Sequence, residues 1–558
     1  MNSSKGIWRH VALAFALGLL AFASPAAMAQ QKSKNVNVSQ CYACHQPIQE
    51  FHAGSNHKSV NCVSCHDKLS EHMANASVRP TTNVNPAACG TCHKNQFETA
   101  YKMNPKKVAR HEKALNTGLT PDPAFTKLML PHGFTKEHAE PRSHVFMVID
   151  QYIADRAFGG RFQPKDGWKW YATQKSGSFA TWDVLVDKYP GEPHKAFKPG
   201  YAAAANPVCM SCKSQDHILD WAYMGDPVPG ATFSRTSNVL DVAKAVNYAV
   251  NCFMCHDPHS AKPRIVRDAL IDAITTRNDT LYHKDPHAAK IDVKDLGVRG
   301  FTRKIAMLDR YDMQLQCGQC HVEYNCNPGI DMDTNEPVTM ADRRTNYFSF
   351  VNVFDLGKTY NGIKFRDFRH AITGARLWKA QHPDVEVYYG SKHQLAGVQC
   401  NDCHMPKAKD KAGKPYTMHW VTSPKNYIKE TCLTCHSEYN EQQAAYVIDV
   451  MKGRYYGKMR HNEFWLTRLV DKIEEAKNLG IDAALLQEAQ EAHWEAHIHW
   501  EWWGAANGAY FHNQDQAVES MNFGMDISQK MVAKLDKGMA DLRAARLAGN
   551  AAAAPAAK

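Results

Sequence analysis

The segment Cys209-Met210-Ser211-Cys212-Lys213 repeats a spacing that organises the whole chain. In the usual C-x-x-C-H motif, two thiols bond covalently to the vinyl groups of a haem and the histidine binds its iron. Here a lysine stands in the histidine position. A lysine amine binds iron only after losing a proton that ordinarily leaves at about pH 10, so the metal must compete with that proton. We therefore predict that this haem differs chemically from the others.

Sixteen of the 17 cysteines fall into eight C-x-x-C pairs, each followed by histidine or lysine. The eight motifs are Cys41/Cys44/His45, Cys62/Cys65/His66, Cys89/Cys92/His93, Cys209/Cys212/Lys213, Cys252/Cys255/His256, Cys317/Cys320/His321, Cys400/Cys403/His404 and Cys432/Cys435/His436. Zinc sites or disulfides would leave the residue after each second cysteine arbitrary. The pattern therefore predicts a c-type cytochrome with eight covalently bound haem c groups.

The first 29 residues have the composition of a secretory signal. Lys5 and Arg9 give a positive start, Val11–Ala23 an apolar run, and Ala27-Met28-Ala29 a cleavage site of small residues. No later segment offers eighteen consecutive apolar residues, so no membrane span is predicted. Because haem c is attached outside the cytoplasm, we expect a periplasmic or exported protein.

The net charge and the histidine content agree with the prediction of eight haems. The formal net charge of +10 would suggest an anionic partner if it stood alone. Eight haems would add sixteen propionates and offset much of that excess, so we do not predict nucleic-acid binding. The 29 histidines supply seven motif ligands and leave enough for seven second axial ligands.

The predicted fold class is mainly α, a multihaem cytochrome c with little β, a haem-packed core and long C-terminal helices. In the N-terminal part, polar connections between closely spaced motifs leave little aliphatic core, so haems must provide the apolar interior. The predicted divisions are 1–29 signal peptide, 30–120 three-haem domain, 121–437 catalytic domain with five haems, 438–547 long-helix region and 548–558 disordered tail.

Three long helices are predicted after the last motif, over Gln442–Asn478, Ala483–Gly508 and Ala517–Leu547. These segments are rich in Ala, Glu, Leu, Lys and Met, which favour helix. Gly480 is the predicted stop of the first one. Long helices without cysteine after a haem array favour packing or dimerisation.

The chain resembles the pentahaem cytochrome c nitrite reductases, which make ammonia, in four segments: Cys209–Lys213, Cys317–Tyr324, Lys379–Pro383 and Cys400–Pro406. The resemblance covers about residues 140–545. The three additional N-terminal motifs make the chain more similar to the octahaem nitrite reductases. The sequence Tyr324-Asn325-Cys326 adds to that similarity, because the subfamily joins its catalytic tyrosine covalently to a cysteine two residues along.

The resemblance implies a role for each matching residue. Lys213 matches the proximal ligand of the catalytic haem, and Tyr324 and His382 match catalytic residues on its substrate side. Arg156 matches the arginine that binds the anion, although the chain between Arg156 and Lys213 is longer than in the pentahaem enzymes. Cys326 matches the cysteine that forms a thioether to Tyr324.

The resemblance also implies a calcium site beside these residues. Glu323 and Gln381 would bind calcium through side-chain oxygens, and Tyr324 and Lys379 through backbone carbonyls. Gln381 counts among the catalytic-site residues as well. A ligand set made only of oxygen suits a hard cation.

The resemblance also implies which histidine is the second axial ligand of four haems. These are His419 for Cys252/Cys255, His144 for Cys317/Cys320, His512 for Cys400/Cys403 and His393 for Cys432/Cys435. For the three N-terminal haems the resemblance offers no anchor. We predict His57, His72 and His111 for them, with His52, His132 and His138 as alternatives.

The implied activity is the six-electron reduction of nitrite to ammonium in the periplasm, with hydroxylamine and sulfite as further candidate substrates. The electron donor would be a small cytochrome or a membrane quinol dehydrogenase. The implied assembly is a homo-oligomer built from dimers, with a hexamer as one form.

Other functions stay open at this point. They are hydroxylamine oxidation, against which Lys213 argues, reduction of tetrathionate or other sulfur oxyanions, and non-catalytic electron transfer through eight six-coordinate haems.

The site residues have plainer alternatives. Tyr324 could pack against a haem, Cys326 could be an inert buried thiol, His382 could ligate another haem, and Glu323 could be a surface carboxylate. For the histidines of the helical tail, packing or solvent exposure is the favoured interpretation: His461, His493, His497 and His499.

Overall fold

The computed structural model describes residues 35–102, 104, 106–107, 123–131, 144–148, 163–164, 185–186, 206–214, 216–297 and 300–553. Within these residues the chain is mainly α-helical with short strands and long C-terminal helices, so the predicted fold class is confirmed. The predicted signal, Arg156 and the histidines His111, His132 and His138 lie outside the described residues.

Three long helices follow the last haem motif, as predicted, over Glu441–Leu479, Ala483–Ala505 and Gln514–Ala553. Asn440 and Gln443 form a capping box at the start of the first long helix. Gly480 ends that helix with a φ of 72°, a left-handed conformation that glycine adopts without a steric penalty. The third long helix extends past Leu547, so residues 548–553 of the predicted disordered tail are helical.

The three long helices pack against one another and against the segment that carries Trp378. Leu466, Leu469, Trp500 and Leu535 are fully buried in this core. Trp500, Trp502 and Trp503 are therefore core residues. Among the described helices, none combines the length and the apolar character that crossing a membrane requires.

The remaining elements are short. The other α-helices are Val38–Tyr42, Gln46–His52, Leu69–Ala74, Pro86–Gly90, Lys94–Tyr101, Pro123–Leu128, Pro207–Met210, Val239–Ala245, Asp268–Thr276, Leu281–Lys284, Met313–Cys317, Val353–Gly362, Asp384–Tyr388, Lys392–Leu395, Cys400–His404 and Ala509–His512. One antiparallel sheet has three strands, in the order Arg264–Ile265, Lys304–Leu308 and Ile291–Asp295. The two-stranded pairs are His66–Asp67 with Thr81–Thr82, Gln163–Pro164 with Leu185–Val186, Tyr324–Asn325 with Tyr347–Phe348, Ile330–Asp331 with Phe365–Arg366, Phe368–Arg369 with Arg376–Leu377, and Lys407–Lys409 with Pro415–Thr417.

Each haem motif occupies a single helical turn. In seven motifs the N–H of the second cysteine donates to the carbonyl of the first, as from Cys212 to Cys209 at 3.3 Å. The eighth motif, Cys400–His404, is itself a short helix. A turn of this kind places residues three apart on one side, so both thiols of a pair can reach one porphyrin edge.

The N-terminal described segment has little apolar core of its own. Among residues 35–102, only Pro86 and Tyr101 are buried side chains of apolar type. The segment instead docks on residues 250–259, where Tyr101 donates to the Val250 carbonyl at 2.7 Å and Ser55 to the His259 carbonyl at 2.8 Å. This agrees with the expectation that haems supply the interior of this part.

Candidate active site

A connected cavity of about 3890 Å³ runs through the haem-motif part of the described chain. A typical small-molecule pocket measures about 300–1,000 Å³. The cavity is lined by the residue that ends each of the eight motifs, and by every motif cysteine except Cys209. Its size and lining fit several large apolar groups attached to those cysteines.

Each of the seven motif histidines faces a second histidine ring at nearly the same separation. The centroid distances are 6.1 Å for His45/His72, His57/His93, His144/His321 and His404/His512, 6.2 Å for His393/His436, and 6.4 Å for His66/His259 and His256/His419. Two imidazoles on one metal have centroids about 6 Å apart, because each metal–nitrogen bond is about 2 Å and the ring centre lies about 1 Å beyond it. The pairs therefore fit axial ligation of one haem each.

Hydrogen bonds at Nδ1 orient several of these rings. The Nδ1 atoms of His57, His404 and His419 donate to backbone carbonyls of Pro258, Thr422 and Thr417 at 2.8, 2.9 and 2.9 Å. His321 Nδ1 lies 2.9 Å from the Asp384 carboxylate. A histidine held at Nδ1 presents Nε2 to a metal, and such partners fix both the tautomer and the ring orientation.

The structure places the four histidines carried over by resemblance opposite the motif histidines for which they were predicted. His57 and His72 face His93 and His45. The ring opposite His66 is that of His259, which the sequence analysis did not single out.

His52, one of the alternatives, has both ring nitrogens engaged by other groups. Its Nδ1 lies 2.6 Å from the Tyr42 hydroxyl, and its Nε2 lies 3.1 Å from the Val60 carbonyl. His52 is therefore a packing residue.

Lys213 ends the turn of the remaining motif and lines the same cavity. The turn begins at Asn206, whose side-chain oxygen accepts the Val208 N–H at 3.0 Å and caps the helix Pro207–Met210. The Asn206 amide nitrogen donates in the other direction to the carbonyl of Cys326. Asn206 therefore joins the lysine motif to the segment that carries Tyr324, and the sequence analysis missed it.

Tyr324 lies in a short strand, where Phe348 is its antiparallel partner. Cys326 follows two residues later and is buried with Val208 and Trp221, a cluster against which Tyr324 and Cys209 also pack. The strand thus brings Tyr324 and Cys326 into one cluster beside the lysine motif. Desolvation raises the pKa of the Tyr324 phenol well above its ordinary value, so the phenol keeps its proton.

His382 faces Tyr324, with ring centroids 6.2 Å apart, and both residues line the cavity with Lys213. The seven rings opposite the motif histidines belong to other residues. Within the described residues, this arrangement argues against the alternative that His382 ligates a second haem. The described structure thus brings together Lys213, Tyr324, Cys326 and His382 from three separate parts of the sequence.

The residues predicted for calcium are also close together. Glu323 is fully buried, which excludes the alternative of a surface carboxylate. Its carboxylate accepts the Trp378 indole N–H at 2.8 Å and the Gln381 backbone N–H at 2.8 Å. The Gln381 side-chain oxygen accepts the Lys379 ammonium at 2.7 Å.

A second buried carboxylate, Glu386, lies next to this group and was missed by the sequence analysis. One of its oxygens accepts the Glu323 N–H at 2.9 Å, and the other has no hydrogen-bond partner. Burial raises the pKa of both the Glu323 and Glu386 carboxyls well above their ordinary values. A cation bound here would favour their ionised forms, so this acidic, oxygen-rich group fits calcium.

Repeated motif turns, paired histidines and the shared cavity define a multihaem c-type cytochrome with one motif that ends in lysine. The chain belongs to the cytochrome c552 family, whose model matches residues 169–554.

Proteins similar to this chain include a cytochrome c-552 and a cytochrome c nitrite reductase subunit. The chain is 26% identical over 427 residues to cytochrome c-552 of Haemophilus ducreyi, covering 75% of this chain and 70% of the relative. It is 27% identical over 427 residues to cytochrome c nitrite reductase subunit NrfA of Nitratidesulfovibrio vulgaris, covering 74% and 68%. The solved cytochrome c nitrite reductase of Desulfovibrio desulfuricans, which has two calcium sites, shares the fold, with a TM-score of 0.55, 18% identity and coverage of 82% of this chain and 86% of that one.

Proposed function

We propose that this protein is a periplasmic, ammonia-forming nitrite reductase that carries eight haem c groups and calcium. One observation carries the proposal. Lys213, Tyr324 and His382 line one cavity, whereas every motif histidine faces another histidine. Two histidines would thus hold each of seven haems, whereas Lys213 would hold the eighth, whose iron would be the one to bind nitrite. The names of the relatives support the same reaction.

The residues around Lys213 have separate tasks in this reaction. When bound, a haem held by Lys213 would supply an iron with one open position for nitrite. His382 would donate protons or hydrogen bonds to the departing oxygen, as an imidazole can near neutral pH. Tyr324, kept in its protonated form, would donate a hydrogen bond. Arg156 would bind the nitrite anion through charge-assisted hydrogen bonds.

The seven histidine pairs suit the electron demand of this reaction. Reduction of nitrite to ammonium takes six electrons and eight protons, and partly reduced intermediates must not escape. An array of six-coordinate haems passes electrons but binds no substrate. The pair His66/His259 joins an N-terminal motif to residues beside the motif of Cys252 and Cys255.

Calcium would bind at Glu323 and Gln381, with the carbonyls of Tyr324 and Lys379. The buried carboxylates of Glu323 and Glu386 support the binding of a cation here. In the structure, the Lys379 ammonium donates a hydrogen bond to the Gln381 side-chain oxygen that would bind calcium. Because Tyr324 and His382 adjoin Glu323 and Gln381 in the chain, the cation would fix the backbone that carries both catalytic side chains.

The proposed assembly is a homo-oligomer built from dimers, with a hexamer as one form. The first long helix supports it, because Tyr446, Val450 and Phe464 are 70%, 50% and 60% exposed there. Exposed apolar side chains on one long helix are suited to contact a second copy. The electron donor would be a small cytochrome or a membrane quinol dehydrogenase.

A steady-state assay of the purified holoprotein tests the proposal. Nitrite, hydroxylamine, sulfite and tetrathionate would be compared at equal concentration with a chemical reductant, and ammonium would be quantified. Turnover of nitrite to stoichiometric ammonium is expected, with hydroxylamine and sulfite as slower substrates. Turnover of tetrathionate alone would favour a sulfur-oxyanion reductase.

Electron paramagnetic resonance separates the proposal from a non-catalytic electron carrier. The proposal expects one high-spin or water-ligated haem among low-spin haems, whereas a pure carrier would show only low-spin signals.

A further inference from the structure

The motif histidine His321 has a hydrogen-bond partner that carries a full negative charge. Its Nδ1 lies 2.9 Å from Oδ2 of Asp384, which is buried. A carboxylate can only accept, so Nδ1 carries the hydrogen and Nε2 is left to bind iron. Carboxylate, histidine and metal would thus stand in one line.

Four other histidines of the facing pairs donate from Nδ1 to backbone carbonyls instead. They are His57, His72, His404 and His419, and the carbonyls are those of Pro258, Val78, Thr422 and Thr417, at 2.8, 2.8, 2.9 and 2.9 Å. Two more rings lie 3.3 Å from hydroxyl groups, His66 from that of Thr82 and His256 from that of Tyr311. Carbonyls and hydroxyls orient a ring without adding a net charge, whereas Asp384 adds one.

Two other carboxylates near such histidines differ from Asp384 in their surroundings. Glu438 lies 3.3 Å from His436 Nδ1, but both side chains are exposed, so water and salt screen the charge. Asp257 lies 4.0 Å from His259 Nδ1, which is too far for a hydrogen bond, and pairs with Arg264 at 2.7 Å. Neither carboxylate therefore places an unscreened charge on a histidine ligand.

The charge of Asp384 is not balanced by a basic side chain. Its Oδ1 accepts the Asn507 backbone N–H at 2.6 Å, and its Oδ2 accepts the Asn507 side-chain amide at 3.2 Å. Both donors are neutral. In the part of the chain that the structure describes, no lysine or arginine forms an ion pair with Asp384. The carboxylate therefore acts mainly on His321 and on the iron beyond it, and burial strengthens this interaction.

The motif that ends in His321 lies between two other motifs. The Cys320 thiol is close enough to the Cys212 thiol to interact with it, and the Cys317 thiol interacts with that of Cys400. Cys212 belongs to the motif of Lys213. A haem attached at Cys317 and Cys320 would thus be the direct neighbour of the haem that Lys213 holds.

We infer that Asp384 lowers the reduction potential of the haem held by His321 and so makes it a stronger electron donor to the haem of Lys213. The inference rests on the proposed function, in which electrons pass to the Lys213 haem. A buried negative charge behind the ligand favours ferric over ferrous iron, because ferric iron carries one more positive charge. One electron passes from the iron held by His321 to the iron held by Lys213, and no covalent bond or proton is exchanged.

Asp384→Asn and one matched control test this inference in the holoprotein. Asparagine keeps the shape of the side chain and an oxygen that accepts the His321 N–H, but it removes the charge. Glu438→Gln is the control, because it removes the same charge beside His436 at an exposed position. Potentiometric titration followed by electron paramagnetic resonance gives the potentials of the low-spin haems, and the pyridine haemochrome assay counts the haems.

One low-spin haem of the Asp384→Asn variant should become easier to reduce. We expect its reduction equilibrium constant to rise by about tenfold, which corresponds to about 59 mV for one electron. All potentials of the control should equal those of the wild-type protein. Wild-type potentials in an Asp384→Asn protein with eight haems would overturn the inference, and so would an equal shift in the control.

Asn507→Ala provides a test of opposite sign. It removes the amide that shares Oδ2 of Asp384 with His321, so the same haem should become harder to reduce. If the Asp384 variant does not retain eight haems, this second variant decides, and an unchanged or raised potential would overturn the inference.

These potentials are measured without nitrite, so the inference and the proposed function fail separately. A wild-type protein that makes no ammonium from nitrite would contradict the proposed function. The potential shift in Asp384→Asn would still decide whether Asp384 acts on the haem of His321.

Discussion

Asn206 donates a hydrogen bond from its side-chain amide to the backbone carbonyl of Cys326. The same side chain caps the turn that carries the lysine motif. One buried residue thus sets the position of the Tyr324 segment relative to Lys213, although the two lie more than a hundred residues apart in the chain. Small displacements matter in such a site, because a shift of about 1 Å can cost about a hundredfold in rate.

Asn206→Ser should separate these two roles. Serine retains an oxygen that can cap the turn, but its shorter side chain lacks the amide group that donates to Cys326. We expect kcat for nitrite to fall between about tenfold and a hundredfold with little loss of thermal stability. Asn206→Ala removes both contacts and should lower the melting temperature as well. Steady-state kinetics and calorimetry measure the two effects, and a serine variant with wild-type kcat would show that the bond to Cys326 does not position the site.

Lys213→His should leave the haem attached and change its chemistry. Histidine completes the usual motif, so eight covalent haems are expected in the pyridine haemochrome assay. Nitrite turnover should fall by more than about tenfold, which corresponds to about 1.4 kcal/mol of barrier. Kinetics equal to those of the wild-type protein would remove the special role assigned to the lysine.

Local features of the fold could be predicted from sequence because they depend on neighbouring residues. The motif turns follow from the C-x-x-C spacing, and the end of the first long helix from Gly480. His259 could not be predicted in this way. It faces His66 across the contact between the N-terminal segment and residues 250–259, and only tertiary packing brings the two rings together.

The residues of the candidate site also fall into two groups, those marked by a local sequence motif and those placed only by tertiary contacts. Lys213, Tyr324 and His382 stand in recognisable motifs, and the structure brings them to one cavity. Asn206 and Glu386 act through long-range hydrogen bonds, to the Cys326 segment and to Glu323. No local sequence pattern marks such a residue, because its hydrogen-bond partner becomes its neighbour only in the folded protein.

His259→Leu should convert one further haem to the high-spin state. The haem of Cys62 and Cys65 would keep His66 and lose its second ligand, whereas all eight haems should stay attached. His52→Leu is the matched control. His52 is buried in the same N-terminal segment as His66, but its ring nitrogens contact Tyr42 and Val60. Electron paramagnetic resonance and resonance Raman spectra compare the two variants. A high-spin increase in the His52 variant alone would show that the assignment of His259 is wrong.

Removal of calcium should lower nitrite reduction reversibly. Chelation with EGTA would release the cation from Glu323 and Gln381, and added calcium should restore the rate. Glu323→Gln should mimic chelation, with a loss of about tenfold to a hundredfold in calcium affinity or activity. Asp515→Asn is the control, because its carboxylate is 74% exposed on the third long helix. Calcium content by mass spectrometry should fall in the first variant and stay unchanged in the second.

Tyr324 and Cys326 should be joined covalently in the mature protein. Both side chains pack in the cluster around Val208 and Trp221, so the phenol ring and the thiol share one buried environment. Formation of the thioether removes one hydrogen from each residue and needs an external oxidant, so the peptide containing both should be lighter by two hydrogen atoms. Cys326→Ser should restore the full mass and leave a free phenol. Intact-peptide mass spectrometry after alkylation measures this difference. Recovery of Cys326 as an alkylated thiol in active wild-type protein would show that the reaction does not require the cross-link.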